Sequence, residues 1–294
     1  MDKKIDKKID KKMDKKIDKK TFRDYKITDT QNDKEKNKLK KIHETYKLQR
    51  ENINYDFNSY LIDKYCKFNC KTHFWTLFAG LDGLIDLSDP DTSLPNSLHA
   101  LQTAEAIRKC GSYPDWFVLC GLIHDMGKII YLSGNDEDGT SKTTQWAIVG
   151  DTFITGTSIP ESIVLPEYNS LNKDHKNKIN KYNKGCGLDK CSVSFGHDEY
   201  MYRLLKANNH KMPIEAEYII RYHSLYTWHS GTEYDYLLTD DDILMKNVVQ
   251  EFNQYDLYTK DDAPERNIKW SFQLREYYTS LVKKYISPDL MIKY

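Results

Sequence analysis

Residues 114–128 read Pro-Asp-Trp-Phe-Val-Leu-Cys-Gly-Leu-Ile-His-Asp-Met-Gly-Lys. Pro114 and Asp115 suit the first turn of a helix. Trp116, Leu119, Cys120 and Ile123 fall on one face at helical spacing, which predicts a core helix running up to Gly127-Lys128. The apolar run leads straight into His124-Asp125. Neighbours on a helix project about 100° apart, so the two cannot both continue the apolar stripe. An imidazole and a carboxylate together at a buried helix end are costly unless their charge is compensated. A metal would do so; a polar helix end open to water is the alternative.

The preceding segment supplies a second helix. Pro95-Asn96-Ser97 opens it, with Asn96 or Ser97 as the expected N-cap. Leu98, Leu101, Ala104 and Ile107 form its apolar face, Glu105 points elsewhere, and Gly111 ends it. The short link from Gly111 to Pro114 makes the two helices antiparallel, which brings His99 level with His124 and Asp125. His197 stands at a helix start, His223 at the end of an apolar helical run, and Asp256 among aromatic residues. Four imidazoles and two carboxylates on apolar helical backgrounds suggest a shared centre. Nitrogen and oxygen donors without thiolate suit Fe, Mn or Mg better than structural Zn. Six ligands exceed what one open metal site takes, so two metals sharing Asp125 are expected.

The rest of the 294 residues extends this pattern. Helices are expected at about 197–209, 213–226, 239–254 and 270–286, and near-helical periodicity runs from Leu39 to Ile85. Strand signals are weak, with Ala147-Ile148-Val149 and Ile163-Val164-Leu165 the best of them. The fold class is therefore all-α, mostly helical, with a few short strands at most. Residues 1–20 repeat Asp-Lys-Lys-Ile, once with Met, and read as a disordered tail with too few apolar residues to bury. Residues 21–40 form an N-terminal segment interrupted by Thr21-Phe22-Arg23-Asp24-Tyr25, a strip that either docks or clusters by chance. Residues 41–294 make one helical domain, with polar loops at 133–144 and 166–191.

Lys+Arg and Asp+Glu both total 44, but the tail holds ten Lys against five Asp, so the body carries a net −5. A mildly acidic body argues against a nucleic-acid platform. No apolar run is long enough to span a membrane, and the charged N-terminus is no secretory signal. Cys66, Cys70, Cys110, Cys120, Cys186 and Cys191 form no CxxC pair and read as free thiols of a cytoplasmic protein, with Cys66 and Cys70 on one helix side.

The series His99…His124-Asp125…Asp256 resembles the HD-domain superfamily. Longer words narrow it: Pro95-Asn96-Ser97, Gln102-Thr103-Ala104-Glu105, Gly121-Leu122-Ile123-His124-Asp125, Gln145-Trp146-Ala147, Val149-Gly150-Asp151-Thr152-Phe153, Gly196-His197-Asp198-Glu199-Tyr200 and Asp256-Leu257-Tyr258-Thr259-Lys260 together resemble the myo-inositol oxygenases, from about Thr21 to the C-terminus. The resemblance implies an HD-type helical bundle holding two irons, mixed-valent Fe(II)/Fe(III), on His99, His124, Asp125, His197, His223 and Asp256, with Asp125 bridging. It places substrate contacts on Asp86, Asp89, Lys128, Gly150, Asp151, Ser224 and Lys260. Arg23 would act from an N-terminal lid. The implied reaction is four-electron oxidation of myo-inositol by O₂ to D-glucuronate, with cleavage between C1 and C6. Lys128 would help a sugar hydroxyl ionise and Asp125 would bridge the irons. A monomer is favoured, though the oligomeric state stays open. An HD-type phosphohydrolase, or a catalytically silent metal-binding module, would use the same ligands.

Overall fold

A computed structural model describes residues 25–88, 95–258 and 268–294. The repeat tail, most of the Thr21–Tyr25 strip, and the expected contacts Arg23, Asp89 and Lys260 lie outside these residues. Helix α1, Asp33–Asn52, starts on a reciprocal cap: Asn32 Oδ1 accepts from the Glu35 amide, and Glu35 Oε2 accepts from the Asn32 amide. Its inward face buries Leu39, Ile42, Tyr46, Gln49 and Arg50. Tyr25, the one described member of the strip, is buried against Tyr46, with ring centroids 6.0 Å apart. His43 bridges the Tyr25 carbonyl and the Tyr168 hydroxyl, each at 2.9 Å.

Arg50 is wholly buried. Its guanidinium donates to Asn169, Gln49 and the Val164 carbonyl and lies 5.0 Å over the Phe153 ring. Burial opposes its charge and lowers its pKa to about 10, with Asp151 and Tyr46 acting against that. Arg50→Ala is expected to destabilise the protein by roughly 2–4 kcal/mol, because three acceptors lose their donor and a cavity opens. Arg50→Met should recover the packing part only. An unchanged melting temperature in Arg50→Ala would refute this.

Helix α2, Tyr55–Tyr65, is capped by Asn54, whose side chain accepts from the Asp56 and Phe57 amides. Strand β1, Lys71–His73, precedes α3, Phe74–Gly80, and pairs antiparallel with the C-terminal β2, Met291–Lys293, in the register Lys71 to Lys293 and His73 to Met291. Next come α4, Asn96–Cys110, and α5, Asp115–Ile123. They cross closely, since a Cβ on Gly121 would stand 2.7 Å from the Ala104 Cα. From His124 to Leu132 the chain winds as a 3₁₀ helix. A short α6, Lys173–Lys176, then α7, His197–Ala207, α8, Ile214–Tyr222, α9, Tyr226–His229, α10, Asp240–Tyr258, and α11, Phe272–Tyr285, complete the order. One large core joins most of them, in which side chains such as Leu119, Leu122, Phe252 and Leu204 are buried, each worth about 1.5–3 kcal/mol. Leu39, Ile42 and Tyr46 of α1 form a smaller cluster with Tyr25.

The mostly helical class expected from the sequence is the one observed, with local differences. The α-helix begun at Asp115 stops at Ile123, and the 3₁₀ segment replaces its expected end at Gly127-Lys128. Neither Asn96 nor Ser97 caps α4: Asn96 donates to the Leu81 and Leu84 carbonyls and Ser97 to Asp82, so both staple the preceding turn. Glu105 is buried, because Arg108 and the distant Tyr278 hydroxyl donate to its carboxylate. Residues 147–149 and 163–165 form no strand. The Ile148 carbonyl instead receives the His197 amide, and the Val164 carbonyl receives Arg50. Cys66 follows the end of α2 and Cys70 lies beyond it, so the two do not share a helix face. Among the described residues no helix is long and apolar enough to cross a membrane.

Candidate metal centre

Five elements deliver the centre. His99 lies in the first turn of α4, and His124 and Asp125 open the 3₁₀ segment. His197 is the first residue of α7, His223 follows α8, and Asp256 sits near the end of α10. All six side chains are buried. Gly127 makes the assembly possible, since a Cβ there would stand 2.0 Å from the His197 carbonyl oxygen. Only a bare backbone lets the 3₁₀ segment lie against the start of α7. Gly127→Ala is therefore expected to destabilise the fold by about 1–3 kcal/mol and to weaken metal retention. Wild-type stability and metal content in that variant would refute this reading.

Three of the four imidazoles are oriented alike, His99 being the exception. His124 Nδ1 faces the Gly121 carbonyl at 3.0 Å, His197 Nδ1 the Ile148 carbonyl at 2.7 Å, and His223 Nδ1 the Ile220 carbonyl at 3.2 Å. Each Nδ1 must donate to its carbonyl, so a neutral ring presents the Nε2 lone pair to the centre. There the lone pairs meet acceptors. His197 Nε2 and His223 Nε2 are 3.2 Å apart, and His124 Nε2 stands 3.3 Å from Asp256 Oδ1. His99 Nε2 lies 2.9 Å from the same Asp256 oxygen.

Asp125 stands between two sets. Its Oδ2 is 3.5 Å from His124 Nε2 and 3.9 Å from His99 Nε2, whereas its Oδ1 is 3.3 Å from His197 Nε2 and 4.0 Å from His223 Nε2. Two groups with metal-binding spacing result: His99, His124 and Asp125, and Asp125, His197 and His223. Converging lone pairs and carboxylates repel one another unless cations lie among them, so these residues fit oxygen- and nitrogen-loving metal ions. The charge balance agrees: Asp125, Asp198 and Asp256 are buried and Asp86 is half-buried, while Lys128 is the ammonium placed among them.

The electrostatics follow from this crowding. Burial opposes charge on His197, but Asp198 and Asp125 outweigh it and raise the pKa to about 9. His124 is raised likewise, against burial, by Asp125 and Asp256. At His223 burial wins and the pKa falls. Burial would raise Asp125, but Lys128 and the surrounding imidazoles hold it well below the usual carboxylate range.

Among the expected substrate contacts, Lys128 Nζ stands 2.8 Å from Asp86 Oδ2, 3.0 Å from Asp125 Oδ2 and 3.4 Å from Asn96 Oδ1. Burial would raise the Asp86 pKa, yet Lys128 and Ser88 bring it to about 2. The Ser224 hydroxyl donates to Asp198 Oδ1 and lies 3.4 Å from His197 Nε2. Gly150 and Asp151 lie between two backbone anchors, the His197 amide on the Ile148 carbonyl and the Thr152 amide on the Ser224 carbonyl. Gly150 takes φ of 91° with its Cα face against the Tyr46 ring. Tyr46 also donates to Asp151 Oδ1.

Sequence reasoning did not assign Asp198 to the site, and it took Asn96 for a helix cap only. Asp198 Oδ1 is 2.7 Å from His197 Nε2 and 3.5 Å from His223 Nε2, and its Oδ2 accepts from the Ser224 amide. The signal was there: His197-Asp198 repeats the His124-Asp125 word.

The sequence profile of the family described as Myo-inositol oxygenase matches residues 39–294. Relatives named Inositol oxygenase include one from Sus scrofa, 45% identical over 212 residues that cover 70% of this chain and 71% of the relative. One from Mus musculus is 41% identical over 260 residues, covering 86% of this chain and 87% of the relative. Inositol oxygenase 1 of Arabidopsis thaliana is 38% identical over 276 residues, covering 92% and 84%.

Proposed function

The chain belongs to the myo-inositol oxygenase family and is an inositol oxygenase, and on that premise we propose how its buried centre works. Its residues would hold two irons, Fe(II) and Fe(III) in the active form: His99, His124 and Asp256 would serve one, His197 and His223 the other, and Asp125 would be shared between them. The observation that carries this is the division of Asp125: one oxygen faces each imidazole pair. Bound iron would supply O₂ activation and Lewis-acid polarisation of the substrate hydroxyls.

The protein's own groups then bind and orient myo-inositol, converting it with O₂ to D-glucuronate by cleavage between C1 and C6. Lys128 Nζ, held as an ammonium by two carboxylates, donates to a substrate oxygen and favours its ionised form. Asp86 stays ionised and accepts from a hydroxyl, and Asp151 and the Ser224 oxygen offer further acceptors. A polyol has no charge of its own, so hydrogen bonds to buried groups must fix its register. The backbone of Gly150 contributes here, while the expected contacts Asp89, Lys260 and Arg23 lie outside the described residues. Burial of all six ligating side chains supports exclusion of water during the reaction.

We propose that residues 41–294 are the catalytic domain and residues 21–40 the segment N-terminal to it, a boundary that α1 crosses, with residues 1–20 dispensable to both. Removing 1–20 is therefore expected to leave turnover unchanged, and a large loss would overturn that division. We place the enzyme in the cytoplasm, a reading supported by six free cysteines. The decisive experiment incubates reduced, iron-loaded protein with myo-inositol and O₂. Glucuronate formed with O₂ uptake is the expected result. Phosphate release from nucleotides without glucuronate would point to the phosphohydrolase reading instead.

A further inference from the structure

Away from the metal centre, Cys186 and Cys191 bracket the 3₁₀ turn Leu188–Lys190, with their sulfurs 3.8 Å apart. Gly185 and Gly187, at φ of 70° and 90°, fold the chain sharply on either side of Cys186. At Gly187 a Cβ would stand 2.8 Å from Asp189 Oδ1. Both thiols approach the Gly187 carbonyl, Cys186 at 3.6 Å and Cys191 at 3.4 Å.

The turn is tied down from outside. The Gly185 amide donates to the Tyr236 carbonyl, the Gly187 amide to the Leu237 carbonyl, and the Leu188 amide to Asp242. Arg221 donates to the Cys191 carbonyl from the far side. The sulfurs therefore face each other in a braced frame. Their access to solvent differs: Cys186 is half-buried and Cys191 buried. Burial and the neighbouring sulfur push the Cys191 thiol far up in pKa, so a reagent from solution meets Cys186 first.

We propose that Cys186 and Cys191 are a reversible dithiol–disulfide couple, oxidised by a small soluble disulfide such as oxidised glutathione. The Cys186 thiolate attacks one glutathione sulfur, the glutathione S–S bond breaks, and one glutathione thiolate leaves and takes up the proton. Cys191 Sγ then attacks the Cys186 sulfur, the mixed disulfide breaks, and the second glutathione leaves with the Cys191 proton. Two protein thiols are oxidised and one glutathione disulfide is reduced to two thiols. The sulfurs need to close from 3.8 Å to about 2.05 Å, a distance that side-chain rotation covers while the turn stays in place.

The test equilibrates the full-length, iron-loaded protein in glutathione buffers of graded ratio, blocks free thiols and maps the peptides. A Cys186–Cys191 cross-link is expected, with a mass lower by two hydrogens. Its fraction should follow the square of reduced glutathione over oxidised glutathione, as an intramolecular couple requires. Exposed Cys70 and Cys110 report that the oxidant reached the protein. In Cys191→Ser the reaction should stop at a glutathione adduct on Cys186, an adduct largely absent from wild type. Two results overturn the proposal: both thiols still blocked under conditions that modify Cys70 and Cys110, or equal Cys186 adduct in wild type and Cys191→Ser. The wild-type titration stands on its own if the variant folds poorly.

Discussion

Asp256→Ala is expected to lose iron and turnover together. Asp256 Oδ1 stands 2.9 Å from His99 Nε2 and 3.3 Å from His124 Nε2, so one oxygen serves both rings of that half. Without it, the carboxylate oxygen left to them is Asp125 Oδ2, at 3.5 Å from His124 and 3.9 Å from His99. That oxygen is also taken by Lys128. Losing even a residue that only orients a ligand costs about 10–100-fold in metal affinity, so losing a ligand should exceed that. His124→Ala should behave alike. The fold should lose stability as well, because removing one partner of a buried charged cluster leaves its imidazole neighbours uncompensated. The check is iron per chain beside a melting curve; full activity in Asp256→Ala would remove this residue from the centre.

Lys128→Ala should separate the two properties, keeping iron while turnover falls by roughly 10²–10⁴-fold. Nζ touches Asp86, Asp125 and Asn96 but no imidazole nitrogen among the contacts described above, so it shapes the charge of the pocket rather than holding the metal. Its ammonium also stabilises ionised Asp86. That carboxyl has a pKa of about 2 in the fold against an ordinary value of 3.8. Because the folded value is the lower one, the stabilisation is present above the ordinary value and is lost as pH falls toward about 2. In Lys128→Ala that acid-side loss should shrink in a stability–pH profile to the part that the Ser88 hydrogen bonds maintain. Loss of iron in parallel with activity would show instead that Lys128 holds Asp125 in position.

Helical periodicity made much of the architecture legible, because the apolar stripes of α4 and α5 are local properties. It failed where a side chain answers to a distant element. Asn96 looked like a cap but reaches across to the turn at Leu81 and Leu84. Glu105 was expected only to point away from the apolar face of its helix, yet it is buried and Tyr278, 173 positions later, donates to it. The strands at Lys71–His73 and Met291–Lys293 are too short and too polar for an alternation signal, and each exists only because the other is beside it. The 3₁₀ segment after Ile123 lies with Gly127 close against His197, a contact that no window around residue 124 contains.

The residue types of the centre and the helices that carry them were determined by the sequence alone. Histidines and aspartates at the ends of apolar runs are visible without coordinates. Tertiary structure decided how they are apportioned: which rings pair, which oxygen of Asp125 each pair meets, and that Asp198 stands behind His197 and His223. Periodicity encodes which face of one element is apolar. The separation between elements is set by contacts far apart in the chain, Gly121 on Ala104 and Gly127 on His197, and those are settled only when the whole core packs.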